Sequence, residues 1–371
     1  MLEPSILAET ITTASGHQIG VFTLNAPKAM NAVDLDMVNQ IDEQFRKWQE
    51  KVNVVAVLLR GAGDKAFCAG GDIRKLYNSM KAQGEEHLSY ADAFFLGEYR
   101  KNYHLHLFNK PLIAWGNGFV MGGGLGLFIA ANHRVGTETL KLAWPEIRIG
   151  LFPDVAATWY LSHLPKPFGH WMGLSGSHMN AVDCKQLKLT NYALNHNQQQ
   201  QVIDGLLQLD WKLSNAENHR QVRALLQGME QQATGFPKSE LNSAERSLKK
   251  LFKELKLEKI DQAMRAHEGK NPWLQQGIQN YLNGCPATAH IIMRQLEEGA
   301  RMSLKEAVQW ELEMAYQSVR HPDFAEGIRA MVVDKDFQPK WQHANIQQVP
   351  REWVNEMTHF YWPDKHPLQD M

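Results

Sequence analysis

An α/β fold, built from stacked βα units and closed by a helical C-terminal region, is what this sequence predicts. Three observations carry that expectation. Val52 to Leu59 is an aliphatic run ending at Gly61, the pattern of a strand buried on both faces. Strand, helix and glycine-rich loop patterns then alternate to about Phe168, the order expected of stacked units with their reactive parts at strand ends. From about Phe168 the strand patterns stop, and polar, helix-prone sequence takes over.

Taken in order, Ile6 to Leu24 holds two short apolar segments around Ser15 and Gly16, which predicts a β-hairpin. Asn25 to Ala32 is a polar turn. The helix after it places Val38, Ile41, Phe45 and Trp48 on one face. Ser79 to Asn109 reads as mostly helical. From Leu112 to Trp115 an apolar run breaks at Gly116, Asn117 and Gly118. Gly122, Gly123 and Gly124 then open a helix-like run to Ala131. Gly235 to Lys238 reads as a loop, and Leu241 to His267 as one Lys/Glu-rich helix with its charges in solvent. Ala287 to Gln317 forms a helical pair around Arg301 to Ser303. The tail after Trp341 has no pattern beyond Trp353 to Trp362. The organisation expected is a core over residues 1–200, a helical region over 201–345 and a tail over 346–371.

At 371 residues the chain can bury a large core, and its 44% hydrophobic and 21% charged content is ordinary for a soluble protein. A formal net charge of -1 supplies no global field to recruit nucleic acid or membrane. Three scattered cysteines, Cys68, Cys184 and Cys285, without a CxxC pair, argue for a reducing compartment. Cys68 reads as a packing residue. The N-terminal stretch Met1 to Gly16 carries no leader pattern, and the most apolar run, Phe119 to Ala131, is about half a membrane span. A cytoplasmic protein is the expectation.

Two glycine turns stand out, Ala69-Gly70-Gly71-Asp72 and Gly122-Gly123-Gly124. A glycine turn at a strand end lets a backbone N–H be approached without obstruction. Two such donors, converging, would hold an oxyanion. Glycine runs also permit tight helix packing, so either turn alone is equivocal. Glu146 follows Pro145 and Asp154 follows Pro153, with apolar flanks on both sides. Two carboxyls held in one pocket split their pKa values, leaving one as base or nucleophile and the other as proton donor. The third glycine of a dinucleotide fingerprint is missing, because Leu127 stands where it belongs. No phosphate-binding loop, HExxH or GxSxG elbow is present, so metal and classical serine-hydrolase chemistry are disfavoured.

The segments GAGDKAFCAGGDI, KPLIAWGNGFVMGGGLGL and LAWPEIRIGLFPDVA together resemble the crotonase (enoyl-CoA hydratase/isomerase) superfamily. With the late HPDFAEGIRA-x-x-x-DKD-x-x-PKW they resemble most its 3-hydroxyisobutyryl-CoA hydrolase branch, over about residues 5–345. The resemblance implies a crotonase-like spiral of ββα units whose helical C-terminal part covers an acyl pocket. It implies an oxyanion hole at the N–H groups of Gly71 and Gly123, a catalytic Glu146 paired with Asp154, and Glu98 as a further pocket acid. CoA, with its adenine near Lys65 to Asp72, adds Ala69 and Asp72 to the substrate-binding set. No metal and no cofactor beyond the CoA of the substrate is implied. The superfamily's trimers imply a homo-oligomer, with the long C-terminal part able to alter that interface.

Two departures from the hydratases separate activities. Hydratases carry a second glutamate two residues after the glycine triplet, where this chain has Gly126, and glycine where it has Asp154. These departures argue against hydration, and LFPD, the matched Glu98 and the long C-terminal helical region make the implied activity hydrolysis of a short branched 3-hydroxyacyl-CoA, as in valine breakdown. Dienoyl-CoA isomerases also resemble the chain at both acids, so an isomerase or hydratase is the alternative. A non-catalytic acyl-CoA-binding protein is the third.

Overall fold

The computed structural model describes residues 4–84 and 87–371. Residues 1–3 of the N-terminal stretch and 85–86 of the expected helical stretch lie outside the described residues. The chain begins with strands β1 (Ile6–Thr12) and β2 (Gln18–Leu24), helix α1 (Leu35–Glu50), β3 (Val54–Gly61) and β4 (Ala66–Cys68). It continues through α2 (Ile73–Lys81), α3 (Ser89–His106), β5 (Leu112–Gly116), β6 (Phe119–Met121), α4 (Gly122–Ala130), β7 (His133–Gly136) and β8 (Lys141–Ala143). A 3-10 turn at Glu146–Ile149 leads to α5 (Ala157–His163), α6 (Phe168–Ser175), α7 (Ala181–Gln186) and β9 (Tyr192–Ala193). Helices follow: α8 (Gln199–Gln208), α9 (Asn215–Glu230), α10 (Glu240–Leu251), α11 (Leu257–Arg265) and α12 (Pro272–Asn283). The last four are α13 (Pro286–Glu298), α14 (Leu304–Ser318), α15 (Pro322–Ile328) and α16 (Arg351–Met357).

These elements form two compact units, each assembled from separated stretches of chain. The first comprises the residues up to Gly71, Lys101–Leu142 and Met179–Ser239. It holds a six-stranded sheet in the order β1-β2-β3-β5-β7-β9. The hairpin β1–β2 is antiparallel, as its apolar segments predict, and every later pairing is parallel. Asp34 starts α1 by accepting the Met37 N–H at 2.9 Å. The buried stripe of α1 is the expected one, with Phe45 and Trp48 ring centroids 5.7 Å apart and Phe22 5.3 Å from Phe45. The other sheet face is covered by apolar residues of α8 and α9, among them Val202, Leu206, Val222 and Leu226. Fully burying each such aliphatic side chain contributes about 1.5–3 kcal/mol.

The second unit comprises 72–100, 143–178 and 240–371. It is helical, as the chain beyond Phe168 predicts. Helix α13 packs against α5 and α6, and Trp171 and Trp273 meet at 5.3 Å. Gly150 ends the 3-10 turn in the left-handed region (φ +72°), and a methyl group there would lie 2.5 Å from the Asp323 carbonyl of α15. Only glycine satisfies both demands, so HPDFAEGI is seated against the turn that carries Glu146.

Three expectations are corrected. Strands do not stop at Phe168: β9 adds to the sheet edge beside β7, and its two residues are too few to show a period of two. Leu241 to His267 is two helices, because after Leu251 the next buried apolar helical position is Leu257. That step of six breaks the three-to-four spacing a continuous stripe needs. Within the tail, Arg351–Met357 is a helix that buries Trp353, Val354 and Met357.

Candidate active site

In the first unit, β4 and β6 run parallel with Cys68 opposite Val120, so the two glycine turns leave the sheet side by side. They also meet. Gly70 has φ +117°, and a methyl group on it would lie 3.4 Å from the Met121 carbonyl oxygen and 3.7 Å from the Gly123 nitrogen. Gly123 is in the first turn of α4, whose N-cap residue Met121 provides no side-chain cap. The N–H groups of such a turn have no intrahelical acceptor and are directed out of the helix end. Gly71 bridges to Val33, and the Val33 N–H donates to the Gly70 carbonyl at 2.9 Å. Ala69 donates its N–H to the Met30 carbonyl at 3.0 Å. The first glycine turn is thereby anchored from both sides.

Close packing and donor presentation coincide here. A methyl group on Gly124 would lie 2.4 Å from the Cys68 carbonyl oxygen, so α4 approaches β4 as closely as glycine allows. Cys68 is buried, as expected of a packing residue, and its thiol donates to the Asn31 carbonyl at 3.0 Å. Sequence reasoning missed Asn31. It sits at φ +57°, wholly buried, and its side-chain amide donates to the Ala62 and Ala66 carbonyls while its oxygen accepts the Ala26 N–H. An Asn near the end of the polar turn Asn25 to Ala32, a residue type that tolerates the left-handed region, is the signal that could have found it.

In the second unit, four buried carboxyls share one neighbourhood. Glu98 is on α3, Glu146 opens the 3-10 turn, Asp154 precedes α5, and Glu311 is in the middle of α14. They are 2%, 4%, 4% and 0% exposed. The Tyr99 hydroxyl donates to Asp154 Oδ2 at 2.8 Å, and the Trp144 indole N–H donates to the Asp154 carbonyl at 3.2 Å. Glu146 Oε2 is buried without a hydrogen-bond partner among the described residues. Burial pushes the Glu146 carboxyl well above the usual carboxylate range, and the negative charges of Asp154, Glu311 and Glu98 push it further. Asp154 is pushed up by burial and then by Glu98 and Glu311, against the opposing hydrogen bond from Tyr99. Glu311 is raised by burial to about 7. The same burial and charges raise the Tyr99 phenol, which therefore stays a donor. Mutually repelling carboxyls in one dry site hold their protons above the usual carboxylate range, which suits one of them to donate a proton.

Ala69, Gly71 and Gly123 thus belong to the first unit, while Glu98, Glu146 and Asp154 cluster in the second. Asp72, also in the second, spends its carboxylate as the N-cap of α2, accepting the Lys75 N–H at 3.3 Å. Gly126 is buried within α4 and contributes no carboxylate. Sequence reasoning missed Tyr99 and Trp144, which lie beside the predicted acids Glu98 and Glu146, and Gln295 and Glu311, whose positions follow no motif spacing. Among the described residues no group of three His, Cys, Asp or Glu could hold a metal, and no helix is long and apolar enough to cross a membrane.

Comparison with known proteins agrees with this architecture. The 3-hydroxyisobutyryl-CoA hydrolase, mitochondrial, of Danio rerio is 32% identical over 339 residues, covering 91% of this chain and 86% of that one. The human protein of the same name is 32% identical over 356 residues, covering 95% and 89%. Among solved structures, an enoyl-CoA hydratase from Rhodobacter sphaeroides 2.4.1 superposes with TM-score 0.82 at 28% identity, covering 96% of this chain and 97% of that one. A carnitinyl-CoA dehydratase from Mycobacterium thermoresistibile gives 0.83 at 29% identity, covering 98% of each. These likenesses bear out the crotonase-like fold that the family resemblance implied. The sequence pattern described as enoyl-CoA hydratase/isomerase matches residues 19–358, and the chain belongs to that family.

Proposed function

We propose that this protein hydrolyses a short, branched 3-hydroxyacyl-CoA to the free acid and CoA, with 3-hydroxyisobutyryl-CoA of valine breakdown as the substrate. The observation that carries the reading is the Glu146–Asp154 pair: two buried carboxyls, both raised, one held by a phenol and the other with an unbonded oxygen. In the proposed reaction the thioester oxygen accepts the N–H groups of Gly71 and Gly123. Glu146 attacks the carbonyl carbon or takes the proton of the attacking water. Asp154 binds the 3-hydroxyl and passes a proton to the departing thiolate, and Glu98 lines the acyl site. Ala69 and Asp72 belong to the loop that receives CoA. Gly126 argues against hydration, because addition of water across a double bond needs a second acid there. The names of the similar hydrolases favour thioester cleavage over isomerisation.

Release of CoA thiol, followed with a thiol dye across C3 to C6 acyl-CoAs with and without a 3-hydroxyl, tests the reading. The branched 3-hydroxy substrate should be cleaved fastest. Glu146→Gln and Asp154→Asn should each lower turnover by about 10²–10³, the scale of losing one oxyanion donor. Near-normal thiol release by both variants, or none by the wild type, would sink the proposal. A single turnover in oxygen-18 water separates the two roles of Glu146, since only an anhydride leaves label in its carboxylate.

A further inference from the structure

The loop after Asp154 is bent in an unusual way. Val155 (φ +55°) and Ala156 (φ +74°) both lie in the left-handed region. A β-branched residue rarely adopts that conformation, and two non-glycine residues in succession need something outside the loop to hold them. What holds them is on α14, more than 150 positions along the chain. Glu311 Oε2 accepts the Ala156 N–H at 2.7 Å, and Oε1 accepts the Thr158 N–H at 2.8 Å. Helix α13 adds a second hold: the Gln295 side-chain amide donates to the Pro153 carbonyl and to Thr158 Oγ1, both at 2.8 Å. The loop is therefore clamped on both sides of Asp154.

A cap for α5 could have been a serine or aspartate at position 156 itself. The chain instead buries a glutamate completely and aims both its oxygens at this loop. We propose that Glu311 is the positioning residue for Asp154: its carboxylate fixes the left-handed turn and thereby the direction of the Asp154 carboxyl. The inference rests on the catalytic role proposed for Asp154. The titratable groups on which the Glu311 charge acts are Tyr99 of α3, Glu146 of the 3-10 turn and Asp154 itself, and Glu98 of α3 acts on the same three. The Glu311 charge also acts on both acids, raising each.

Glu311→Gln keeps the shape, removes the charge and leaves one oxygen to accept where two N–H groups point. With 3-hydroxyisobutyryl-CoA, kcat should fall about 10- to 100-fold with KM within about threefold, as for a geometric error at the acid. The acid limb of the kcat profile should move to lower pH, because a neighbouring negative charge is gone. Ala156→Gly added to Glu311→Gln should recover part of the loss, about threefold or more, since glycine takes the left-handed turn unaided. A readout without turnover is the 13Cγ resonance of Asp154, identified by its loss in Asp154→Asn. Its position and its titration should both shift in Glu311→Gln. Should Glu311→Gln not fold, Glu311→Asp carries the same measurements, keeping the charge but reaching only one N–H. Unchanged kcat overturns the inference, and so does a lower kcat with the pH limb and the Asp154 resonance both unmoved. Wild type that cleaves no acyl-CoA removes the functional reading instead, and the resonance alone then decides the role of Glu311.

Discussion

Tyr99 and Glu311 act on the same carboxyl with opposite sign. The phenol donates to Asp154 and lowers its pKa, whereas the carboxylate of Glu311 raises it. Tyr99→Phe should therefore move the Asp154-dependent limb of turnover to higher pH, opposite to Glu311→Gln, and lower kcat about tenfold through loss of one charge-assisted hydrogen bond. A pH–rate profile of the two variants side by side checks the signs. The cluster also affects folding. A carboxyl whose folded pKa is raised contributes stability in full below its unfolded pKa, and that contribution is lost as pH rises through the folded value. For Glu311 the window runs from 4.5 to about 7, and the loss is on the order of 3 kcal/mol. The wild-type Tm should fall across it, and that of Glu311→Gln should fall less steeply. Equal slopes in a thermal melt series would contradict the assigned shift.

At the level of elements, α4 is the part most sensitive to small change. Gly124→Ala should push its first turn away from the Cys68 carbonyl, carrying the Gly123 N–H with it. Thiol release should drop by about 10² or more for displacement of an oxyanion donor, with a Tm lowered by a few degrees. Activity retained in Gly124→Ala would detach α4 from the proposed chemistry. The elements also mark what could be read in advance. The β1–β2 hairpin, the stripe on α1 and the glycine opening of α4 were legible because each is local: a period, a turn residue or a helix start. The split between α10 and α11 is local too, but it was hidden by a charge pattern that runs through both. The two-residue β9 was not legible, since it exists only by pairing with β7.

For the molecule as a whole, the acids Glu146 and Asp154 and both glycine turns could be picked out from sequence because motif spacing keeps them recognisable. Their supports could not. Gln295 and Glu311 are ordinary residues within ordinary helices, given meaning only by a fold that brings them back to the loop around Asp154. Both compact units are discontinuous in sequence, so no simple truncation frees either one. A fragment of residues 1–239 would contain Glu98, Glu146 and Asp154 but lack α13 and α14. It should be protease-sensitive around 143–178 and release no thiol, and a protected, active fragment would refute the role given to those helices. The clamp also sets a schedule. Ala156 and the carboxylate that accepts its N–H are 155 residues apart in the chain. At roughly 5–20 residues per second of synthesis, the acid loop is made about 8–30 s before its partner exists. Through that interval the Ala156 N–H has no Glu311 to accept it, so the clamp on the acid loop closes only late in translation.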